Sequence, residues 1–250
     1  MSMNTVNERI AALRAAMEAQ GCAAYIIPTG DPHSSEYLPT HYNSREYFSG
    51  FTGENSNLVV TRTGSALWAD GRFFVQAEKQ LAGTEIALQK MGEPGVPTVE
   101  EYCAKALNEG EALGLCGFTA ACGLVRSLQK ALDAKHCTIK TLHLEDELWT
   151  EGRPELPATP AWILSKEYAG FSPAEKLDQL RTKLKELGCT AQFVGKLDNL
   201  AWLLNLRAMD IHCTPYAMAF CYVTPDKAVL FINTARVTPE AAAELKENGV

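Results

Sequence analysis

Residues 35–81 read SEYLPTHYNSREYFSGFTGENSNLVVTRTGSALWADGRFFVQAEKQL, and the fold turns on this stretch. Ser49-Gly50-Phe51-Thr52-Gly53 is a cluster of turn formers. Two short apolar runs follow, Leu58 to Thr61 and Ala66 to Trp68. Thr63-Gly64 separates them, which predicts a β-hairpin. Asp70-Gly71-Arg72 then leads into an amphipathic pattern, Phe73, Phe74 and Val75 first, and predicts a helix over Gly71 to Leu81.

Working outward, Thr5 and Glu8 form an S/T-x-x-E capping box. Val6, Ile10, Leu13 and Met17 recur at helical spacing, so Thr5 to Gln20 is a helix with Gly21 just past its end. Ala23 to Ile27 is a buried strand stopped by Pro28, and Thr29 to Thr40 is a loop. Beyond the hairpin and its helix, the pattern predicts a strand over Glu85 to Gln89 and a Gly- and Pro-containing loop over Gly92 to Pro97. A helix capped by Thr98 and Glu101 runs to Asn108. Leu113 to Cys116 is a strand, Leu124 to Ala134 a helix and Thr138 to Leu142 a strand. Strands alternating with helices define an α/β class with a mixed sheet.

Pro154, Pro157 and Pro160 stand among polar residues after Gly152, the composition of a linker or a strand-breaking crossover. The expected organisation is a first domain over residues 1–152, a linker over 153–160 and a second domain over 161–250. Ser172 and Glu175 give another capping box, with a helix over Lys176 to Leu187. An internal repeat appears here. RIAALRAAMEAQGCAA (Arg9 to Ala24) matches KLDQLRTKLKELGCTA (Lys176 to Ala191). Each helix ends in Gly-Cys and feeds a strand. An aromatic-containing segment comes next, then an apolar strand ending Val-Thr (Val60-Thr61, Val223-Thr224) and a second apolar strand. The spacing is that of a duplicated domain. The first copy continues through further helix–strand steps, whereas the second reaches Val250 in the helix that begins near Thr238-Pro239-Glu240. By its own internal template the second domain is truncated, and the sequence reads as part of something longer.

A formal net charge of −7 argues against nucleic acid, whose binders carry a basic face. No apolar run approaches the roughly 20 residues that span a bilayer. Met1 to Glu8 lacks the basic and apolar regions of a secretion signal. Eight cysteines occur without C-x-x-C spacing, most of them in apolar runs. Reduced core thiols and a cytoplasmic location are therefore expected.

Ser35-Glu36-Tyr37, R-x-x-x-S-G-F-T-G (Arg45, Ser49 to Gly53) and A-L-W-x-D-G-R-x-x-x-Q-A (Ala66 to Asp70, Gly71, Arg72, Gln76, Ala77) resemble the N-terminal domain of Xaa-Pro aminopeptidases. These belong to the creatinase/prolidase ("pita-bread") metallopeptidase superfamily. The second half resembles the family's second domain through Tyr168-Ala169-Gly170, Lys176-Leu177, Asp198 to Arg207 and Pro215. Two departures stand out. Glu54-Asn55-Ser56-Asn57 replaces a small Ser/Gly turn, and Ala208 replaces the Gly after Arg207. The resemblance implies two related N-terminal domains followed by a C-terminal catalytic domain, which lies outside this sequence and is its expected partner. It also implies a homodimer acting on proline-containing peptides. Two divalent metal ions, Mn²⁺ by resemblance, would sit in that catalytic domain, and this portion would wall one side of the substrate groove. A peptide- or histone-binding module of the same superfamily is the alternative, since acidity suits a basic partner. Creatinases and prolidases fit less well, because they carry one N-terminal domain.

No catalytic or metal-binding set is expected within the sequence. Its histidines (His33, His41, His136, His143, His212) form no H-x-x-x-H or H-E-x-x-H pattern, and an open metal site needs three convergent ligands. His143, Glu145 and Asp146 read as solvated surface. Asp31 to Glu36 reads as a hydrogen-bonded loop instead of a Ser-His-Asp site, and Gly50 to Gly53 as a tight turn instead of a phosphate cradle. The remaining candidates are Arg45, Asp70, Arg72 and Arg207. Asp70 can cap the following helix. Arg45 or Arg72 can instead lie on the face toward the catalytic domain, closing the groove or holding an interface. Asn205, Arg207 and Asp210 form either a salt-bridged turn or an interdomain contact. The four tryptophans are core or interface anchors.

Overall fold

The helix that opens the chain shows how local signals are realised. In the computed structural model, which describes residues 5–250, α1 spans Val6–Ala19. The Thr5 hydroxyl accepts from the Glu8 amide while the Glu8 carboxylate accepts from the Thr5 amide, completing the capping box. Ile10, Leu13 and Met17 are fully buried, and Gly21 turns the chain at φ +67°. The secretion-signal reading of Met1 to Glu8 begins outside the described residues.

The chain divides into two units. The first comprises the residues up to Glu36 and His41–Pro154; the second comprises Tyr37–Thr40 and Glu155–Val250. In the first unit, β1 (Ala24–Pro28) is followed by α2 (Ser44–Ser49), β2 (Asn57–Thr61), β3 (Ser65–Ala69), α3 (Phe74–Leu81) and β4 (Ile86–Lys90). Then come α4 (Val99–Ala106), β5 (Ala112–Leu115), α5 (Cys122–Leu132), β6 (Thr138–Thr141) and α6 (Leu144–Leu148). The sheet order is β4-β3-β2-β1-β5-β6. β1, β2 and β3 pair antiparallel, while β3–β4, β1–β5 and β5–β6 are parallel. The sheet is mixed, as expected.

Both faces of this sheet are covered. Tyr25, Ile27, Leu58, Val60 and Leu67 point toward α1, α2 and α6. Ile26, Val59, Ala66 and Trp68 point the other way, against Val99 and Cys103 of α4 and Leu128 and Leu132 of α5. A strand buried on both sides reads as a continuous apolar run, which is why AAYII carries no alternation.

Several boundaries differ from expectation. Pro28 belongs to β1, opposite Asn57. It lies beyond the reach of β5, which ends opposite Ile26, so its missing N–H breaks no ladder. The hairpin turn is closed by Thr61, whose hydroxyl accepts from the Gly64 amide at 3.1 Å and donates to the Gly64 carbonyl at 2.9 Å. α3 begins three residues later than the pattern suggested, because Asp70-Gly71-Arg72 forms its own turn. The helix α6 was not anticipated; only Leu144 and Leu148 mark it.

The second unit holds β7 (Trp162–Ile163), α7 (Lys166–Ala169), α8 (Pro173–Glu186), β8 (Gln192–Val194) and α9 (Leu197–Leu204). β9 (Leu206–Arg207), β10 (Phe220–Val223), β11 (Ala228–Phe231) and α10 (Pro239–Glu247) complete it. Its main sheet has the order β11-β10-β8, with antiparallel neighbours, and β7 pairs separately with β9. This sheet repeats β3-β2-β1 of the first unit. The duplication extends to side chains. Arg9 donates to the Tyr47 carbonyl at 2.7 Å and lies over the Tyr47 ring; its counterpart Lys176 donates to the Trp202 carbonyl at 2.8 Å and lies over the Trp202 ring. Arg14 donates to the Thr61 carbonyl at 2.8 Å, and its counterpart Arg181 donates to the Thr224 carbonyl at 3.1 Å. In each copy the same two basic positions fasten the first helix to the next helix and to the end of the hairpin strand.

Candidate functional site

The motif around Arg45 is a turn fastened from inside. Gly50 ends α2 at φ +71°, a conformation that favours glycine. At Gly53, a Cβ would fall 2.2 Å from the Phe51 ring, so only glycine lets the turn close. The Ser49 hydroxyl donates to the Arg45 carbonyl at 2.7 Å and accepts from the Phe51 amide at 3.1 Å. Arg45 is buried. Its guanidinium donates to the Phe51 and Gly53 carbonyls and, at 3.1 Å, to the Thr29 hydroxyl. Burial pulls its pKa down to about 10, with Glu46 opposing. Arg45 thus joins the loop after β1 to the turn before β2. Gln76 and Gln80 of α3 both donate to the Thr52 hydroxyl at 2.8 Å and anchor the same turn from the other side.

Asp70 does not cap α3. The N-cap of that helix is Phe73, without a side-chain bond. Asp70 accepts from the Arg72 backbone amide at 3.0 Å and from its guanidinium at 3.0 and 2.8 Å. The proximity of Asp70 and Arg72 makes this bidentate pairing possible, and the Arg72 bonds hold the Asp70 carboxyl below its ordinary value. The Arg72 side chain is 66% exposed. It lines a cleft of about 230 Å³ with Thr29, Ser35, Glu36, Glu54 and Asn55. The departing turn Glu54 to Asn57 therefore forms part of this cleft wall. Asn55 takes the left-handed position at φ +45°, and Ser56 is bonded through its backbone to Thr29. Asp31 accepts from the His33 and Ser35 amides, both at 2.9 Å, which makes that segment an Asx-type loop.

Glu145 does not lie where its polar neighbours in sequence suggest. It is 3% exposed, not solvated surface. It sits on α6, accepts a hydrogen bond from the Tyr25 hydroxyl of β1, and keeps one carboxyl oxygen without a hydrogen-bond partner. Burial raises its pKa to about 7, against the lowering effect of the Tyr25 bond. Leu144 and Leu148, which flank it in sequence, pack on the α1 side of the core; that pair was the available signal. His143 and Asp146 are half-exposed, as expected of their neighbours.

In the second unit, Arg207 donates to the Ala201 carbonyl at 2.5 Å and the Leu206 carbonyl at 3.0 Å, and burial lowers its pKa. The salt-bridged turn proposed for Asn205, Arg207 and Asp210 forms with a different cation. Asp210 pairs with Arg236, both side chains being almost completely buried. It also accepts from the Thr159 hydroxyl at 2.7 Å and the Met218 amide at 2.7 Å. Arg236 in turn donates to the Thr159 and Pro157 carbonyls at 3.0 and 3.3 Å. Nothing local in the sequence marks Arg236, because its partner is distant. Asn205 adopts φ +52°, donates to the Phe171 carbonyl at 2.9 Å and accepts from buried Lys176 at 2.6 Å. Ala208 is buried and is absent from the positive-φ positions, so alanine fits there without strain.

Among the described residues, no group of three or more His, Cys, Asp or Glu side chains could hold a metal ion. No described helix is long and apolar enough to cross a membrane. All eight cysteines are free; Cys22, Cys103, Cys116, Cys137 and Cys221 are buried, while Cys122, Cys189 and Cys213 are exposed. Trp68 and Trp149 are core residues, whereas Trp162 and Trp202 are exposed.

The duplicated hairpin-and-helix units and their internally fastened turns define a class. The chain belongs to the creatinase/prolidase N-terminal domain family, whose models match residues 9–145 and 152–250. It is 38% identical over 250 residues to aminopeptidase P2 of Arabidopsis thaliana, covering 98% of this chain and 35% of that protein. It is 37% identical over 248 residues to a probable Xaa-Pro aminopeptidase P of Laccaria bicolor, covering 98% and 38%. The crystal structure of the X-prolyl aminopeptidase of Caenorhabditis elegans, described as a cytosolic enzyme with a di-nuclear active site, superposes with a TM-score of 0.93 at 31% identity. That match covers 99% of this chain and 42% of the nematode enzyme. The chain thus spans well under half the length of these relatives.

Proposed function

We propose that this chain is the non-catalytic front portion of an Xaa-Pro aminopeptidase, the whole enzyme removing the N-terminal residue that precedes proline. The colinear match to the nematode enzyme across 99% of the chain carries this reading. The metal ions of such an enzyme, two divalent cations expected to be Mn²⁺, would be bound by a catalytic region following these residues. The role of the present portion is to restrict and orient the peptide. Its organisation would be a first domain to residue 152, a linker and a partial second domain, in a cytoplasmic homodimer.

Arg72 is the best-placed of the four candidates for a contact outside its own unit. Its side chain is exposed, and Asp70 fixes its direction through two hydrogen bonds from the guanidinium. Arg45 and Arg207 are engaged by backbone carbonyls of their own units, which suits them to shaping loops. The test uses the full gene product with Mn²⁺ and an Xaa-Pro tripeptide. Hydrolysis is expected from the full product and none from the 250-residue chain. Arg72→Ala should raise KM more than it lowers kcat. Metal-dependent cleavage by the purified 250-residue chain would sink the proposal.

A further inference from the structure

Glu145 takes no part in the cleft beside Arg72 or in the turn around Arg45. It is a carboxyl group held where a charge finds little to bind. One oxygen accepts from the Tyr25 hydroxyl of β1, and the other is buried without a hydrogen-bond partner. Around it stand the Cys116 thiol just past β5, His143 and Asp146 of its own segment, and Arg153. The Tyr42 phenol is nearby, within reach of Asp31, Asp146, Arg153 and Cys116. From α1 come the apolar side chains Ile10, Leu13 and Met17. Arg153 is engaged elsewhere: it pairs with Asp146, donates to the His41 carbonyl at 3.2 Å and lies over the Trp149 ring. A neutral carboxyl suits this place, whereas a carboxylate needs water at its free oxygen.

Water can reach that oxygen if the sheet opens or if α6 lifts. The sheet is the stiffer side, because β1 is hydrogen-bonded to β2 on one edge and to β5 on the other. α6 is five residues long, and its N-cap His143 makes no side-chain cap bond. Leu144 and Leu148 hold it to the core, and Trp149 stacks on Tyr47 at 4.6 Å. His41 Nδ1 meets the Pro154 carbonyl at 2.7 Å and closes the segment. Short elements with few buried anchors open locally, well below the cost of global unfolding. We propose that residues 144–154 are a pH-operated latch on the first unit. The latch is closed while Glu145 carries its proton. Loss of that proton to solvent leaves a carboxylate that draws α6 off β1 and β5 and uncovers the Cys116 thiol, while the sheet beneath stays folded. The latch is independent of the peptidase reading.

The chain's own thiols report the opening. Cys116 is 5% exposed, with its sulfur 3.7 Å from His143 Nδ1. Cys103 is fully buried on the opposite face of the sheet, and Cys122 is exposed. Alkylation by N-ethylmaleimide is followed at each cysteine by peptide mass spectrometry, on the 250-residue chain and on Glu145→Gln, at pH 5 and pH 8. Each rate is divided by that of Cys122 to remove the general ionisation of thiols. At pH 8, Cys116 should react at least about 10-fold faster in the unaltered chain than in Glu145→Gln, and the two should converge at pH 5. Burial, and then the Glu145 charge, hold the Cys116 thiol above its ordinary pKa. A latch that stayed shut would therefore make Glu145→Gln the faster of the two. Equal rates, or a faster variant, overturn the proposal. So does Cys103 reacting in step with Cys116, since that reports opening of the whole unit. An imidazole stands beside the thiol, so His143→Gln is the control. It should keep the pH 8 reactivity of Cys116; its loss there would assign the response to His143 and overturn the latch.

Discussion

The two units share a hairpin, two fastening cations and an opening helix, yet they differ in how much of the sheet they bury. The first sandwiches six strands between helices on both faces; the second covers one face of three strands. Ile26 and Phe193 occupy equivalent places, one fully buried and the other 57% exposed. Backbone pattern is thus set by the local repeat, while burial is set by elements that come later in the chain. The same contrast holds for charge. Tyr25 meets a buried carboxylate from α6, and its counterpart Gln192 is exposed.

The largest expected effect lies in the second unit. Arg236→Met leaves the Asp210 carboxylate buried without its cation, and removing one member of a buried pair costs about 3–5 kcal/mol. Urea unfolding followed by exchange of residues in β10 should show the loss there, with the first unit unaffected; equal loss in both would erase the distinction between them. Next, Ile26→Ala should destabilise the first unit by about 2–5 kcal/mol, whereas Phe193→Ala in the 250-residue chain should hardly move the urea midpoint. A comparable loss for Phe193→Ala would mean that the second sheet's outer face is already covered.

Glu145 gives the first unit a pH response of its own. Its folded pKa lies near 7 against an ordinary 4.5, because burial disfavours the carboxylate. A raised acid contributes stability that is fully present below pH 4.5 and is lost as pH rises through 7. The difference corresponds to roughly 3 kcal/mol. Glu145→Gln should therefore flatten the fall in urea midpoint between pH 5 and pH 8 and raise the midpoint at pH 8. An unchanged slope would show that the carboxylate is solvated. The smallest effect is expected at Arg72. Arg72→Ala should leave the thermal midpoint of the 250-residue chain within error, because exposed ion pairs add little. Its effect belongs to the kinetics of the full product.

Much of the architecture was legible. All three capping boxes, at Thr5, Thr98 and Ser172, form as the sequence indicated, since each needs only residues three apart. The hairpin over residues 57–69 and the duplication were likewise readable from local periodicity. The candidate site was less so. Arg45 was picked out by its motif, but its bonds to Phe51, Gly53 and Thr29 depend on a folded turn. Asp70 had the right residue type for a cap, yet the nearer Arg72 outcompeted the helix. Glu145 looked like surface because three polar residues stand close together, and only α6 packing against β1 buries it.

The sequence by itself determined the order of helices and strands, the duplicated unit and the positions of the turns, because these depend on neighbours within a few residues. Only the tertiary structure decided which faces are buried, that Arg236 is the partner of Asp210, and that Glu145 lies beside Tyr25. Burial and ion pairing join residues tens to more than a hundred positions apart, and their energies come from desolvation that no local pattern records.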